Sequence, residues 1–501
     1  MTPENWQTIA MIIYFVGMII LGIAAYQRTS NLDDYMLGGR SLSPGVAALS
    51  AGASDMSGWL LMGLPGALYL NGLVELWIAI GLTVGAWLNW RYVAPRLRTY
   101  TEVSNNAITL PSFLDSRLRD RSRALRIVSG LIILVFFTFY VSSGMVAGGT
   151  FFESSFGMNY HVGMVLIAGV VVLYTLVGGF LAVSWTDTVQ GLMMLAALIL
   201  VPIIGLVHIG GFGEWSASVD AVATQQSAQL FNMFTGVSAI AVISNLAWGL
   251  GYFGQPHIIV RFMALRTPGE AKQARRIGIG WMIFSLLGAA ATAFVGIAVF
   301  KHDKAALPNS EAVFLKLGQL LFHPVFAGFV LAAVLAAIMS TISSQLLVSS
   351  SALVEDVYRG LFRKTLGDKQ GILLGRTAVL IVSVVAALLA WDPKSNILQL
   401  VGFAWGGFGA AFGPLILLSL YWRKLSWQGG LAGMVGGAVT VFAWKYLLAA
   451  NFGDSVPLFN LYEILPGALV NLVLCLAVSK LTYAPDAEIE AEFDAAVEAA
   501  R

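Results

Sequence analysis

The chain has 501 residues, of which 58% are hydrophobic and only 11% are charged, whereas soluble domains carry about 25% charged residues. This composition argues against a soluble protein and predicts an all-α polytopic membrane protein. A formal net charge of +2, with no basic patch interleaved with aromatic residues, argues against nucleic-acid binding.

Cysteine and histidine usage argues against a redox or transition-metal centre. Cys475 is the only cysteine and lies in an apolar run, so no disulfide framework is expected. The histidines are widely scattered and show no ligand spacing, which argues against zinc or iron; they are His161, His208, His257, His302 and His323. Without a metal cluster or a nucleophile beside a base, we expect neither an enzyme nor an organic cofactor.

Thirteen apolar segments can be marked, most of them close to the ~20 residues that a helix needs to cross a bilayer. They leave no room for a large soluble domain. Spans 1 to 13 are predicted at 8–26, 46–69, 72–90, 126–150, 160–182, 188–209, 229–256, 277–300, 322–349, 377–391, 397–421, 428–449 and 461–482.

Charge asymmetry between the loops predicts the orientation. No Lys or Arg precedes span 1, whereas Arg28 and Arg40 follow it, so the N-terminus is expected outside and the C-terminus inside. The segment from Arg91 to Arg126 has eight arginines and is the clearest cytoplasmic loop. Because the first apolar run lacks a basic start, it is predicted to be a retained span rather than a cleaved signal peptide.

Span 2 holds polar residues inside an apolar run, in the stretch Ala51-Gly52-Ala53-Ser54-Asp55-Met56-Ser57-Gly58. A carboxylate at bilayer depth costs at least ~2.5 kcal/mol, so Asp55 is predicted to face a cavity or a partner. The glycines favour a break in the helix, with carbonyl oxygens free near Ala53 for a cation and amides free after Ser57 for an anion. The alternative is a continuous helix that packs closely on its neighbours, with Asp55 paired to a distant arginine.

Span 7 ends in Trp248-Gly249-Leu250-Gly251-Tyr252-Phe253-Gly254-Gln255-Pro256-His257. The glycines and the proline predict an unwound end, and the aromatic side chains suit the wall of a site for a small amphipathic solute. The alternative is an aromatic belt at the cytoplasmic interface.

Span 9 carries two adjacent hydroxyl residues, Ser340 and Thr341, shortly after Ala337. Hydroxyl and carbonyl oxygens can therefore project from one helix face, and monovalent cations need such hard ligands. The alternative is that both hydroxyls bond back to the preceding turn. Asp187, at the predicted start of span 6, either lines an ion exit route or caps the helix, and Tyr140 of span 4 has a polar tip that can face the same cavity.

The positions of the interrupted spans predict two repeats. Spans 2 to 6 form one group of five and spans 7 to 11 another, each opening with a broken helix; because five is odd, the groups are inverted relative to each other. The acidic tail is either a short solvated helix or a docking segment for a partner. The predicted division is 1–45 for the first helix and a cytoplasmic loop, 46–209 for repeat 1, 210–228 for an outside loop, 229–421 for repeat 2, 422–482 for spans 12 and 13, and 483–501 for the cytoplasmic tail.

At these residues the chain resembles the sodium:solute symporter family. The similarity runs over nearly the whole chain, and its first and fourth stretches are typical of the proline branch of that family. The matching stretches are Asp33-Asp34-Tyr35-Met36-Leu37-Gly38-Gly39-Arg40-Ser41, Leu49 to Gly66, Gly178-Gly179-Phe180-Leu181-Ala182-Val183-Ser184-Trp185-Thr186-Asp187-Thr188, Trp248 to His257 and Met339-Ser340-Thr341.

The resemblance implies a leucine-transporter-like fold and secondary-active import of L-proline, with Na+ as the coupling ion, across the bacterial cytoplasmic membrane. It implies L-proline, Na+ and the lipid bilayer as partners, with no obligate protein partner. The alternatives are a sodium symporter for another small solute, such as another amino acid, pantothenate or a sugar, and a membrane sensor domain of the same fold.

Matched position by position, the resemblance implies a sodium site formed by Ala53, Met56, Ala337, Ser340 and Thr341. It implies a substrate cavity lined by Ser57, Trp59, Gly63, Tyr140, Trp248, Tyr252, Gln255 and Pro256. The amides of Ser57 and Gly58 are expected to receive the substrate carboxylate. Asp55 and Asp187 match positions that the family uses for sodium-dependent function, without implying that either touches the ion.

Overall fold

The computed structural model describes residues 2–26, 36–177, 179–225, 230–234, 237–304, 307, 309–362 and 368–500. Over these ranges the chain is built from helices joined by short turns. Parts of the predicted motifs, Asp33 to Tyr35 and Gly178, lie outside the described residues, as does part of the predicted loop at 210–228.

Helices stand at all thirteen predicted spans. Spans 1 to 6 are Pro3–Tyr26, Pro44–Gly58 continued by Trp59–Gly63 and Leu64–Asn71, Leu76–Leu88 continued by Asn89–Val93 and Ala94–Val103, Ala124–Phe156, Tyr160–Val177 and Phe180–His208. Spans 7 to 13 are Ala239–Leu246 continued by Ala247–Gly254, Ala271–His302, Pro324–Ser351, Asp368–Leu389, Ile397–Tyr421, Trp427–Ala443 continued by Trp444–Ala449, and Ile464–Thr482. The longer helices between and after the spans are Leu110–Leu118, Phe212–Gln225, Pro256–Met263, Val313–Leu321 and Ala487–Ala499.

Length and hydropathy agree with a multi-pass membrane protein. Within the described part of the chain, nine helical stretches are long and apolar enough to cross a membrane, and one of them, Pro44–Val103, covers both span 2 and span 3. Shorter apolar helices lie at spans 5, 7 and 10, at Tyr160–Leu173, Ala239–Gly254 and Leu373–Leu389. The predicted all-helical architecture of about thirteen spans is confirmed.

A tight turn at Gly72 separates spans 2 and 3. Its φ is +77°, which glycine adopts without the penalty that a Cβ imposes. The backbone of Leu230 also approaches closely, since a Cβ on Gly72 would lie 2.4 Å from its carbonyl oxygen. The amide of Leu73 donates to the same carbonyl at 2.8 Å, so the turn is held by its neighbour in space.

Four span boundaries differ from the prediction by eight residues or more. The span 3 helix runs on to Val103 rather than ending at 90, and the span 10 helix begins at Asp368 rather than at 377. The span 7 helix begins at Ala239 rather than at 229, because the Ser238 hydroxyl accepts the amide of Ala241 and caps it there. The span 6 helix begins at Phe180 rather than at 188. Its polar first turns stay helical because the hydroxyl of Ser184 bonds back to the carbonyl of Phe180 at 2.7 Å.

Span 2 lies at the centre of the bundle. Its first half, Pro44–Gly58, packs against spans 6, 8 and 9. Beside it, spans 3 and 7 approach each other backbone to backbone: a Cβ on Gly81 would lie 2.3 Å from the carbonyl oxygen of Leu246, and one on Gly85 would lie 2.1 Å from that of Gly249. Small residues permit this distance between helices in a membrane.

The acidic tail lies against this chain's own surface. Its helix, Ala487–Ala499, packs Phe493 against the ring of Tyr100 at 6.1 Å between centroids. Two arginines hold its acidic face: Arg119 pairs with Glu488 and Glu492, and Arg423 pairs with Glu490 and Asp494. One face of the tail helix therefore packs against this chain, so the helix is not solvated on all sides.

The contact between spans 3 and 7 can be tested by adding one methyl group. We expect Gly85→Ala to lower the free energy of unfolding by about 1–3 kcal/mol, because the backbone of Gly249 leaves no room for a Cβ. The measurement is the melting temperature of the purified protein in detergent. Gly169→Ala in span 5 is the control, since nothing lies within 4 Å of a Cβ there; equal melting temperatures for the two variants would contradict the close approach.

Candidate functional site

The helix of span 2 breaks at Ser57. This residue has φ +46° and ψ −168°, a non-helical conformation inside Pro44–Gly58, and the chain then continues as the wider turn Trp59–Gly63. A residue with a Cβ held in such a backbone region costs about 1–3 kcal/mol, so the surroundings must hold it. The Ser57 hydroxyl accepts the amide of Trp59 at 3.1 Å. The predicted break between Ala53 and Ser57 is confirmed.

Four oxygen atoms from spans 2 and 9 meet just before this break. The hydroxyl of Ser340 donates to the carbonyl of Ala53 at 2.8 Å and to that of Ala337 at 3.1 Å. The hydroxyl of Thr341 lies 3.4 Å from the first carbonyl and 3.2 Å from the second. All four residues are buried. The hydroxyls therefore reach across to span 2 as well as back to their own helix, which combines the two alternatives considered for span 9.

Met56 is the fifth predicted ligand of this cluster, and its carbonyl has a different hydrogen-bond partner from the other oxygens. Its carbonyl accepts the amide of Trp59, the residue that opens the wider turn. Met56 lies one turn beyond Ala53 on the same buried stretch and stays a predicted ligand.

Asp55 meets a tyrosine rather than an arginine. Its carboxylate accepts a short hydrogen bond from the hydroxyl of Tyr252 in span 7. The hydroxyl of Tyr140 in span 4 donates to the backbone carbonyl of Asp55 at 3.1 Å. The pairing of Asp55 with a distant arginine, one of the alternatives for span 2, is therefore wrong, and the residue instead joins the breaks of spans 2 and 7.

A narrow cavity opens beside Asp55. Trp59 and Trp248 stack in its wall with ring centroids 6.0 Å apart, and Trp248 stacks in turn on Tyr462. The lining residues are Asp55, Met56, Trp59, Leu82, Tyr140, Trp248, Val401 and Trp405. The structure thus brings three of the predicted substrate residues, Trp59, Tyr140 and Trp248, to one cavity.

The other predicted substrate residues support the cavity without being among its lining residues. Gly58 packs against Ala147 of span 4, and Gly63 lies under the ring of Trp59. The side-chain amide of Gln255 donates to the backbone carbonyls of Gly251 and Trp405.

Pro256 opens the short helix Pro256–Met263 and lines a second cavity, between this helix, Phe180 of span 6 and Leu347 of span 9. It is not among the residues that line the aromatic cavity, because the chain turns away after Gly254, and its substrate role stays a prediction.

Asp187 is fully buried and pairs with an equally buried arginine. The distance from its carboxylate to the guanidinium of Arg261 is 3.2 Å, and the hydroxyl of Ser50 in span 2 donates to the same carboxylate oxygen at 2.8 Å. The guanidinium also donates a hydrogen bond to the hydroxyl of Ser344 in span 9 at 2.8 Å. Because its helix begins at Phe180, Asp187 lies two turns inside span 6, so the alternative of an N-terminal cap is wrong.

Sequence reasoning missed the arginine and part of the cavity wall. Arg261 falls in the segment between predicted spans 7 and 8, and its place four residues after His257 in an otherwise apolar stretch is the signal that could have indicated its burial. Its side chain is 1% exposed. Trp405, which donates its indole N–H to the carbonyl of Trp248 at 2.7 Å, directly precedes a pair of glycines in span 11, just as Trp248 directly precedes Gly249 in span 7. Leu82 and Val401 carry no local signal.

Comparison with known proteins agrees with this arrangement. The sequence model of the sodium:solute symporter family matches residues 35–437. The relative named high-affinity proline transporter PutP from Bacillus subtilis is 56% identical over 95% of this chain and 98% of the relative. A sodium/proline symporter from Staphylococcus aureus is 50% identical over 98% of this chain and 96% of the relative.

The fold has a counterpart among solved structures. A substrate-bound, outward-open Na+-coupled sialic acid symporter superposes with a TM-score of 0.78 over 96% of this chain and 98% of that one, at 20% identity. At that identity the likeness bears on the fold alone. It confirms the predicted leucine-transporter-like fold.

The buried ion pair predicts an asymmetric response to mutation. We expect Arg261→Met to lower the free energy of unfolding by about 3–5 kcal/mol, because the Asp187 carboxylate would stay buried without its cationic partner. The double variant Asp187→Asn with Arg261→Met is expected to recover most of that loss, since it removes both charges. Unfolding of the detergent-solubilised protein, followed by denaturant titration, measures both changes.

Arg266→Met serves as the control for this pair. Arg266 is 53% exposed and pairs with Glu270 at the surface, so its replacement is expected to change stability by no more than about 0.5 kcal/mol. If the double variant were as unstable as Arg261→Met alone, the two buried charges would not act as a pair.

Proposed function

The chain belongs to the sodium:solute symporter family, and from this premise we propose that it imports L-proline together with Na+ across the bacterial cytoplasmic membrane. Relatives at 50–56% identity over nearly the whole chain carry proline transport in their names. The observation in the molecule that carries the proposal is the meeting of four oxygen atoms from spans 2 and 9 beside an aromatic cavity. The chain is a transporter rather than an enzyme, and no organic cofactor is proposed.

The cation site is proposed at the oxygen cluster. Ser340 and Thr341 now donate their protons to the carbonyls of Ala53 and Ala337. With Na+ between them, the hydroxyls would turn their lone pairs to the ion, and all four oxygens together with the carbonyl of Met56 would become ligands. Hard oxygen ligands of this kind suit a monovalent cation better than a soft metal.

The solute site is proposed in the cavity lined by Trp59, Tyr140 and Trp248. The stacked indoles supply an apolar wall for the pyrrolidine ring. The backbone amides of Ser57 and Gly58, where span 2 resumes as a helix, lie at the positive end of that helix dipole. An anionic carboxylate is favoured there. An apolar wall beside a few polar groups suits small solutes that combine an apolar ring with a carboxylate.

Coupling follows from the shared segment. The carbonyl of Ala53 belongs to the cation site, and Asp55, two residues later, lines the cavity and bonds Tyr252. An ion that orders this segment would also fix the cavity wall, so each ligand would raise the affinity for the other by the same factor. We propose that Asp55 contributes through this link and through its negative charge near the ion, without direct coordination.

Membrane orientation and repeat organisation complete the proposal. We propose an N-terminus outside and a C-terminus inside, with repeats at 46–209 and 229–421. Ser340 donates to the carbonyl of Ala53, and one turn away Ser50 and Ser344 both accept hydrogen bonds from Arg261. This order of contacts supports opposite directions for spans 2 and 9, as the inverted repeats require.

Uptake of labelled L-proline into proteoliposomes tests the proposal. We expect accumulation only with an inward Na+ gradient, and competition by unlabelled proline above all other amino acids, pantothenate and sugars. Better competition by another solute would reassign the substrate while keeping the coupling. Sodium-dependent proline binding without accumulation would favour a sensor domain, and binding indifferent to Na+ would contradict the scheme.

The two proposed sites predict different kinetic changes. Ser340→Ala and Thr341→Ala are each expected to raise the Na+ concentration for half-maximal uptake about tenfold, equivalent to ~1.4 kcal/mol for a lost ligand, with a smaller change in maximal rate. Trp248→Ala is expected to raise the proline concentration for half-maximal uptake instead. Initial rates at varied Na+ and proline separate these effects.

Ser383→Ala is the matched control, because Ser383 is a buried serine in span 10 that lies outside both proposed sites. It is expected to leave both concentrations unchanged. Equal loss in every variant, the control included, would indicate a folding defect and would remove the support for separate ion and solute sites.

A further inference from the structure

Two histidines and an aspartate meet where spans 6 and 8 end. The Nε2 atom of His208 lies 3.0 Å from one carboxylate oxygen of Asp303, and the Nδ1 atom of His302 lies 2.7 Å from the other. One potential ligand atom from each residue lies within 4.8 Å of the other two. The histidines are far apart in sequence, which is why their spacing gave no sign of this cluster.

The packing of the two helices positions these side chains. A Cβ on Gly205 in span 6 would lie 2.5 Å from Val295 and 3.7 Å from Val299 in span 8, so the helices are in close contact there. His208 stands one turn after Gly205, and the amide of Asp303 bonds the carbonyl of Val299. The cluster is thus built on two rigid helix ends already in contact rather than on loops.

We propose that His208, His302 and Asp303 form a binding site for a transition-metal ion such as Zn2+. Two imidazole nitrogens and one carboxylate oxygen are ligands that Zn2+ prefers, at ~2.0–2.2 Å, and three protein ligands leave a fourth position for water. Each imidazole now makes a hydrogen bond with the carboxylate, and a metal ion displaces such protons when it binds.

The surroundings permit an ion to enter. His208 and His302 are exposed, and Asp303 is partly exposed, so the cluster opens to solution rather than to the bundle interior. Two cations are nearby in sequence. Lys301 directs its amine to the carbonyl of Ser218 at 3.4 Å, away from the carboxylate, and Lys304 is exposed.

A bound metal would cross-link spans 6 and 8. Both spans pack against the first half of span 2, and span 6 also carries Asp187. Fixing their ends to each other would restrict any relative movement around the broken helix. We therefore expect Zn2+ added on the side of this cluster to slow transport; this consequence rests on the proposed function, whereas the binding itself does not.

The binding test uses the full-length purified protein with any affinity tag removed. Titration with Co2+ is expected to give the visible absorption of a tetrahedral site at one equivalent, and Zn2+ is expected to displace it. His208→Ala, His302→Ala and Asp303→Asn are each expected to weaken Zn2+ binding by more than about tenfold in calorimetry, because each removes one of three ligands. His323→Ala removes an exposed histidine outside the cluster and is expected to bind as the original protein does.

Binding that survives all three substitutions, or that His323→Ala weakens equally, would overturn the site. Melting temperatures of the variants without metal show whether they fold. Inhibition of sodium-driven uptake by Zn2+, abolished in His302→Ala, would support the cross-link. Binding without inhibition would keep the site and refute the cross-link, whereas absence of uptake at any Zn2+ concentration would bear on the proposed function alone.

Discussion

The hydrogen bonds from span 9 to the carbonyl of Ala53 are the interaction on which the central part of this molecule depends. A helix that breaks inside a bilayer frees polar backbone groups that lipid cannot satisfy, so a neighbouring element must supply partners. Ser340 and Thr341 do so from a single turn of span 9. Because these partners are hydroxyls, which both donate and accept, the atoms that donate to the broken helix also have the lone pairs that the proposed cation site requires.

The buried ion pair of Asp187 and Arg261 lies one turn from the oxygen cluster and adds a second connection between spans 2 and 9. Ser50 and Ser344 stand beside the pair, so spans 2 and 9 are joined at two successive levels. Burying two charges costs several kcal/mol per ion unless hydrogen bonds satisfy them, and here hydroxyls from two other spans provide those bonds. The pair therefore holds the first half of span 2 against span 6, so that any rearrangement of span 2 falls to the residues beyond Ala53.

Sequence patterns predicted what depends on local composition. The span at 397–421 was predicted to the residue, since Asn396 caps its start and charged residues follow its end. The break at Ser57 followed from glycines around a carboxylate. What could not be predicted depends on contacts between distant spans. The charge rule uses arginines to mark loops and cannot detect a buried partner, so the burial of Arg261 beside Asp187 was not predicted. The proximity of Trp405 to Trp248 depends on how repeat 2 folds back.

The hydrogen bond between Tyr252 and Asp55 connects the two inverted repeats at their broken helices. Each repeat opens with a broken helix, and this bond joins one break to the other while Trp59 stacks on Trp248 beside it. The polar side chains of the two broken segments thus satisfy each other, and residues of both segments line one cavity. Since Asp55 lies two residues from the carbonyl that Ser340 and Thr341 hold, a change at the oxygen cluster reaches span 7 through one short segment. In the proposed mechanism, ion and solute would influence each other through this segment, without any longer path through the protein.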